Sequence, residues 1–213
     1  MARKYEMRKR AEARDATRLR IVEAAVELHS TIGPARTTVS AIAQRAGVQR
    51  HTYYRHFPEE RDLLLACSGL DMERNPMPDP APWAAIGDPV ERLRTALDEL
   101  YGYFAANEGM LANVTRDAQF HAETRAVMSI RVGPTMGAMQ KVLTADVPKH
   151  ALAMLGLALQ FPTWQSLVRD SGLSHARAVE TMTAAVENAI ANGAPRTRRR
   201  RRSAAPRPAT ARS

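Results

Sequence analysis

The side chains best suited to chemistry stand close together between residues 49 and 56. Guanidinium, imidazole, amide and hydroxyl groups recur there, and all of them can donate hydrogen bonds to phosphate oxygens or to base edges in a major groove. The candidate DNA-binding residues are Thr38, Gln49, Arg50, His51, Thr52, Tyr54 and His56. An ordinary helical hairpin with a solvated polar face has a similar composition, so the interpretation depends on the elements that hold these residues.

Those elements are predicted to be two short helices joined by a tight turn. Thr38 can cap the first helix, whose apolar residues recur at three- and four-residue steps. Gly47 ends it, because glycine adopts the left-handed conformation of a helix C-terminus without a Cβ penalty. Val48 fills the turn, and Tyr53 falls on the inward face of the second helix. This spacing is typical of a helix-turn-helix and favours DNA binding.

Composition divides the chain into a basic start, a mildly acidic centre and a basic end. The formal charge is +9, yet residues 21–194 hold 15 basic and 19 acidic side chains. Basic ends without an apolar stripe indicate nucleic acid rather than membrane as the polyanionic partner. The predicted organisation is a flexible basic arm (1–14), a helix-turn-helix domain (15–74), a Pro-rich linker (75–87), a helical ligand-binding and dimerisation domain (88–194) and a disordered Arg-rich tail (195–213).

The predicted body begins at Asp88, where Asp, Pro and Glu at cap, first and third positions signal a helix start. A short helix over 110–117 and a longer one over about 121–143, interrupted by a kink at Gly133-Pro134, follow. Aromatic and methionine side chains suit an adaptable pocket, although they are equally ordinary core residues. The candidate lining is Tyr101, Phe104, Phe120, Met128, Met136 and Met139, with Gln119, His121 and Arg125 as polar groups.

The end of the body is predicted to be two helices, over 149–169 and 174–191. The first is apolar on most sides, and the second carries apolar residues at helical spacing among many alanines. Such a pair suits an interface between two copies, or alternatively a pair buried inside one body. The candidate interface residues are Leu152, Leu155, Leu159, Trp164, Val179, Met182, Val186 and Ile190.

Residues from about Arg20 to Leu65 resemble the DNA-binding head of the TetR family of bacterial transcriptional regulators. The resemblance depends on a helix ending at Gly33, then TTVSAIAQRAGV, TYYRHF and Asp62-Leu63-Leu64, and residues 160–174 resemble the turn between the family's dimerising helices. It implies an all-α homodimer with a three-helix DNA-binding head and a helical ligand-binding body. It also implies base contacts at Arg50 and His51 and phosphate contacts at the other candidate positions.

Three residues depart from the family pattern. His29 replaces the usual aromatic residue of the first helix, and His51 replaces a residue that is usually small. Glu60 stands where a phosphate-binding lysine is common, so that phosphate contact is in doubt.

The expected function is that of a ligand-responsive regulator, a repressor that binds a palindromic operator in double-stranded DNA as a homodimer. A small apolar or aromatic effector would release it. No metal or cofactor is expected, because paired Cys or His residues at ligand spacing and glycine-rich phosphate loops do not occur in the sequence. The single Cys67, the lack of an apolar leader and the lack of a span of about 20 apolar residues predict a cytoplasmic chain that is not a membrane protein. An architectural protein that coats DNA, and a helical enzyme with an accessory DNA-binding head, are the alternatives.

Overall fold

The computed structural model describes residues 2–192, and within that range the chain is helical without a β-strand. The predicted all-α fold is therefore confirmed. The ten α-helices of this range are α1 Ala2–Thr31, α2 Val39–Arg45, α3 Arg50–His56, α4 Glu60–Arg74, α5 Pro89–Ala106, α6 Glu108–Asp117, α7 Ala122–Leu143, α8 Leu152–Ala158, α9 Phe161–Gln165 and α10 His175–Asn192. The Arg-rich tail predicted for 195–213 lies outside the described residues.

The head consists of α1 to α4 around its own apolar cluster. Ile21 and Ala25 of α1 meet Ile42 of α2, Tyr53 of α3 and Leu63 of α4, and all five are buried. The head core therefore draws on every one of its helices, as the sequence pattern predicts.

The turn between α2 and α3 has the predicted geometry. The Thr38 hydroxyl accepts a hydrogen bond from the Ala41 amide at 3.1 Å, which caps α2. Gly47 has φ 65°, and the Val48 amide donates to the Ala43 carbonyl at 2.9 Å. Because a side chain is strained at that φ, glycine at this position allows α3 to start three residues later.

The first helix begins earlier than the sequence analysis predicts. Residues 2–14, expected to be an unordered arm, continue α1, although the side chains from Lys4 to Ala16 are all exposed. The reason is local: Ala, Arg, Lys, Glu and Met are strong helix formers, and the anchored part of α1 already supplies the nucleus for the helix.

The body core forms around α5, with Leu97 and Leu100 completely buried against residues of α7 to α10. Asp88 caps α5 through hydrogen bonds from the Val90 and Glu91 amides, as predicted. The segment predicted as a linker takes part in this core. It forms a 3₁₀ turn over Pro82–Ala85, and Trp83 is buried with its Nε1 donating to Glu99 at 3.0 Å.

Two predicted helix boundaries in the body are wrong. α7 runs through Gly133-Pro134 without interruption, and both residues are exposed. The single helix expected over 149–169 is instead bent by 63° between Lys149–Ala158 and Phe161–Asp170. Pro162 has no N–H to donate to the Ala158 carbonyl, which accepts a hydrogen bond from the Tyr101 hydroxyl at 2.9 Å instead.

Most of the predicted dimer-interface residues lie inside the body of one protomer. Leu155, Leu159, Trp164, Val179, Met182 and Val186 are buried in the body core. Their side chains pack within this core rather than on the surface of the body. Leu152 is 37% exposed, Ile190 is half-buried, and Leu157, which the sequence analysis did not select, is 45% exposed.

Among the described residues, no single helix is long and apolar enough to span a membrane; the bent pair around Gln160 meets the criterion by length and composition only.

Candidate nucleic-acid interface and internal cavity

The polar face of α3 is held outward by two aromatic anchors. Tyr53 and Phe57 are buried, with ring centroids 6.1 Å apart, and they fix the helix against the head core. Burial, followed by the charge of Glu60, raises the pKa of Tyr53 to about 12, so its phenol stays neutral. The outward orientation of the remaining residues of α3 follows from this anchoring.

The exposed face contains most of the predicted DNA-binding residues. Gln49, Arg50 and His51 are exposed at the start of α3, and Tyr54 is 46% exposed one turn later. Thr52 is half-buried, with its hydroxyl 3.3 Å from His51 Nε2. These groups form one continuous surface that can enter a groove of duplex DNA.

Two of the predicted contacts are placed differently. The Thr38 side chain is exposed, but its oxygen is already the cap acceptor for α2, so it can offer only its O–H to a phosphate. His56 is half-buried, and its Nε2 is buried without a hydrogen-bond partner among the described residues. Burial, together with the charges of Arg55, Arg14 and Arg18, lowers the pKa of His56. The Nε2 atom of His56 is therefore enclosed rather than presented on the exposed face of α3.

A cavity of about 100 Å³ lies where the head meets the body. Its wall combines α1 and α4 of the head with α6 and α7 of the body. The lining residues are His29, Pro34, Leu64, Cys67, Ser68, Asp71, Met72, Tyr103, Met110, Leu111, Val114, Thr124, Val127, Met128, Arg131 and Val132. Because both parts of the molecule contribute, a guest in this space contacts head and body at once.

Of the predicted ligand-binding residues, only Met128 lines this cavity. Tyr101, Phe104 and Met139 belong to the body core, and Met136 packs against that core. Gln119 and Phe120 are exposed at the turn between α6 and α7.

The two remaining predicted polar groups stabilise that same turn. Arg125 donates to the Ala118 and Gln119 carbonyls, and His121 caps α7. His121 Nε2 also lies 3.5 Å from a carboxylate oxygen of Glu60, a contact between body and head. Glu60 therefore lies beside the body, whereas the TetR-family pattern commonly has a phosphate-binding lysine at this position.

The polar groups of the cavity were missed by sequence reasoning. His29 Nδ1 lies 3.4 Å from the Cys67 sulfur, and burial lowers the pKa of His29 to about 4, although Asp117 acts in the opposite direction. Burial raises the pKa of the Cys67 thiol to about 12, so the pair is neutral. The departure of His29 from the family pattern was the one available signal.

Arg131 crosses from α7 to α4. Its Nη2 donates to the Leu65 carbonyl at 2.7 Å, while its Nε is buried without an acceptor among the described residues. Asp71, on the same cavity wall, has its pKa raised by burial. A donor and an acceptor therefore stand beside an otherwise largely apolar space.

A hydrogen-bond network joins α6 to the start of the helix-turn-helix. The completely buried Asp117 accepts from the Ala35 amide at 2.9 Å and from Arg116 at 2.8 Å. Arg116 donates to the Ile32 carbonyl at 3.0 Å, and Asn113 donates to the Ser30 carbonyl at 2.9 Å. Displacement of α6 would therefore move the end of α1 and the turn that leads into α2.

The same contact explains why Gly33 is a glycine. Its φ is 94°, and a Cβ there would clash with side-chain atoms of both Arg116 and Asp117. No group of three or more His, Cys, Asp or Glu side chains suited to a metal ion occurs in residues 2–192.

The fold and this surface define an all-helical protein with a helix-turn-helix head on a helical body. Residues 21–67 match the family model for bacterial regulatory proteins of the tetR family. Over these residues the head is therefore similar to the tetR family.

Sequence similarity to a curated protein extends beyond the head. The HTH-type transcriptional repressor KstR of Mycolicibacterium smegmatis is 30% identical over 129 residues, which is 61% of this chain and 63% of the relative. The chain thus spans under two thirds of the length of that curated relative.

Solved structures share the fold over most of the chain. A TetR-like transcriptional regulator from Rhodococcus sp. RHA1 has a TM-score of 0.59 at 21% identity, covering 83% of this chain and 96% of that one. The regulator FadR from Bacillus subtilis, in complex with stearoyl-CoA, has a TM-score of 0.57 at 18% identity, covering 81% and 98%.

Proposed function

We propose that the protein is a transcriptional repressor that binds a palindromic operator as a homodimer and is released when a small, mostly apolar effector enters the cavity between head and body. One observation carries this proposal: the cavity is walled by helices of both head and body. A guest there acts on the position of the DNA-binding surface directly.

On the DNA side, α3 would lie in the major groove. Arg50 and His51, exposed in its first turn, would meet base edges, while Gln49, Thr52 and Tyr54 would hold phosphates. Repression as the outcome is supported by the relative KstR, which is named a transcriptional repressor.

On the effector side, the size of the cavity suggests how release would occur. At about 100 Å³ it is smaller than the roughly 300–1,000 Å³ of typical ligand pockets. A guest of ordinary size would therefore have to separate α4 from α6 and α7. The effector would favour the conformation in which the two heads no longer fit successive major grooves, and operator affinity would fall.

The chemistry of the wall supports an apolar guest with one polar end. Leucine, valine and methionine side chains form most of it, and Arg131 and Asp71 offer the polar contacts. The complex of FadR with stearoyl-CoA supports an acyl-type effector among the candidates.

Dimerisation would use the outer faces of α8 and α10. Leu152 and Leu157 of α8 are exposed, and Ala184 and Ala191 of α10 are small and exposed. Small residues beside exposed leucines allow two copies to pack closely across a two-fold axis.

The experiment is selection of binding sites from random DNA, followed by titration of the selected duplex and a scrambled duplex at fixed salt. A repressor should bind its site at least about 10³-fold more tightly than the scrambled duplex. Equal affinity for the two duplexes would contradict the proposal and favour the architectural alternative.

A further inference from the structure

The N-terminal part of α1 projects from the head as a bare helix. All thirteen side chains from Lys4 to Ala16 are exposed, and packing against the head begins with the half-buried Thr17 and the buried Ile21. At 1.5 Å per residue, this projection is about 20 Å long. Because nothing in the head covers it, its surface is free for a partner.

One face of this projection is basic. Arg10, Arg14 and Arg18 are spaced four residues apart, so they lie on the same side of the helix. All three are exposed, and neither Arg10 nor Arg18 forms an ion pair with an acidic side chain of residues 2–192. Arg14 has only a 3.6 Å contact with the neighbouring Asp15 at the surface, and such exposed pairs are worth little.

The basic face begins beside the end of α3. The guanidinium carbon of Arg18 lies 4.7 Å from the centroid of the Phe57 ring, and Phe57 directly follows α3. This contact places the start of the arginine row next to the end of α3.

We propose that Arg10 and Arg14 bind backbone phosphates of the duplex that flanks each operator half-site, with Arg18 fixing the helix beside α3. The proposal rests on the DNA binding proposed above and adds a second, sequence-independent contact to it. Arginines on a rigid helix lose less freedom on binding than those of an unordered arm. A projection of about 20 Å could follow about six base pairs at 3.4 Å each.

Duplex DNA fits this surface better than a lipid membrane does. Membrane-surface helices carry an apolar face opposite their basic one. The exposed Tyr5 and Met7 are two residues apart, and therefore do not share a face of the helix. Charge without an apolar stripe is the pattern that phosphates of nucleic acid attract.

The test compares two double variants of the full-length protein. Arg10→Gln with Arg14→Gln removes the proposed contacts, and Lys9→Gln with Arg20→Gln removes the same charge from a different side of the helix, about 80–140° around its axis. All four residues are exposed, and Gln is a good helix former, so both variants should keep the fold. Each is titrated at several salt concentrations with the selected operator, either trimmed at the half-sites or carrying eight further base pairs on each side.

We expect the R10Q/R14Q variant to lower the slope of log K against log salt by about 1.8 on the long duplex, which corresponds to two lost phosphate contacts. On the trimmed duplex it should match the wild type, and K9Q/R20Q should match the wild type within about 0.5 on both. Equal slopes for the two variants on the long duplex would overturn the proposal. The proposal would also be overturned if R10Q/R14Q weakened binding to vesicles containing anionic lipid but left DNA binding unchanged.

Failure of the underlying function is distinguishable from failure of this proposal. If the wild type shows no preference for the selected operator over scrambled DNA, the repressor function fails. If that preference stands and the flanks add no affinity, only the role of the N-terminal helix fails.

Discussion

Arg50 and Tyr54 share the exposed face of α3 but should contribute differently to recognition. We expect Arg50→Ala to weaken binding of the selected operator by about 1–3 kcal/mol and to relax the base preference at one position, because a base contact is lost. Tyr54→Phe should weaken operator and scrambled DNA alike, since a phosphate contact carries no sequence information. Binding-site selection repeated with each variant checks this. The same loss of base preference for both variants would contradict the assignment.

His29 makes the stability of the head depend on pH. Its pKa is about 4 in the folded protein against 6.5 for a free histidine, so below pH 6.5 the unfolded chain binds the proton more readily. Stability contributed by the neutral ring is complete above pH 6.5 and is lost as the pH falls towards 4, by up to about 3 kcal/mol. Urea unfolding of the wild type and of His29→Phe at several pH values measures this contribution. The variant should lose stability less steeply over that window, and parallel curves would contradict the assignment.

At the scale of elements, the contact between α6 and the head should couple cavity and DNA-binding surface. Asp117→Asn keeps the size of the side chain but removes the charge that accepts from the Ala35 amide and Arg116. We expect a stability loss of about 1–3 kcal/mol, because Asn has one acceptor oxygen in place of the two that accept from the Ala35 amide and from Arg116. We also expect effector binding to reduce operator affinity less than it does in the wild type.

A matched control is Asp98→Asn. Asp98 is an exposed residue of α5, and the substitution removes the charge that pairs with His175 of α10. Its stability should change by less than about 0.5 kcal/mol, and the effector response should be unchanged. If the effector lowers operator affinity as much in Asp117→Asn as in the wild type, the hydrogen bonds of Asp117 do not couple the cavity to the DNA-binding surface.

The elements that could be predicted from the sequence are those that local residues determine. Thr38, Gly47 and Asp88 act on neighbours within a few positions, so the helix-turn-helix and the start of α5 are as predicted. At the bend before Pro162, the Ala158 carbonyl accepts a hydrogen bond from the Tyr101 hydroxyl, 57 residues away from Ala158 along the chain. The cavity likewise depends on α1 and α4 meeting α6 and α7, and periodicity within one helix contains no information about such a meeting.

At the scale of the whole molecule, the structure changes which residues can test dimerisation. Leu159→Glu would place a charge in the body core, where the side chain is 2% exposed, and should unfold the body. Leu157→Glu, at a position 45% exposed, should leave the fold intact and convert a dimer to a monomer. Circular dichroism and light scattering separate the two outcomes. A folded dimer of the Leu157→Glu variant would exclude this face of α8 from the interface.

The central claim is that the cavity and the operator compete through one conformational equilibrium, and linkage tests it most directly. Compounds that raise the melting temperature, acyl-type molecules included, would be titrated into the full-length protein with and without the selected operator. If the claim holds, the effector lowers operator affinity and the operator lowers effector affinity by the same factor, on the order of 5–150-fold. A compound shown to occupy the cavity that leaves operator affinity unchanged would contradict the claim.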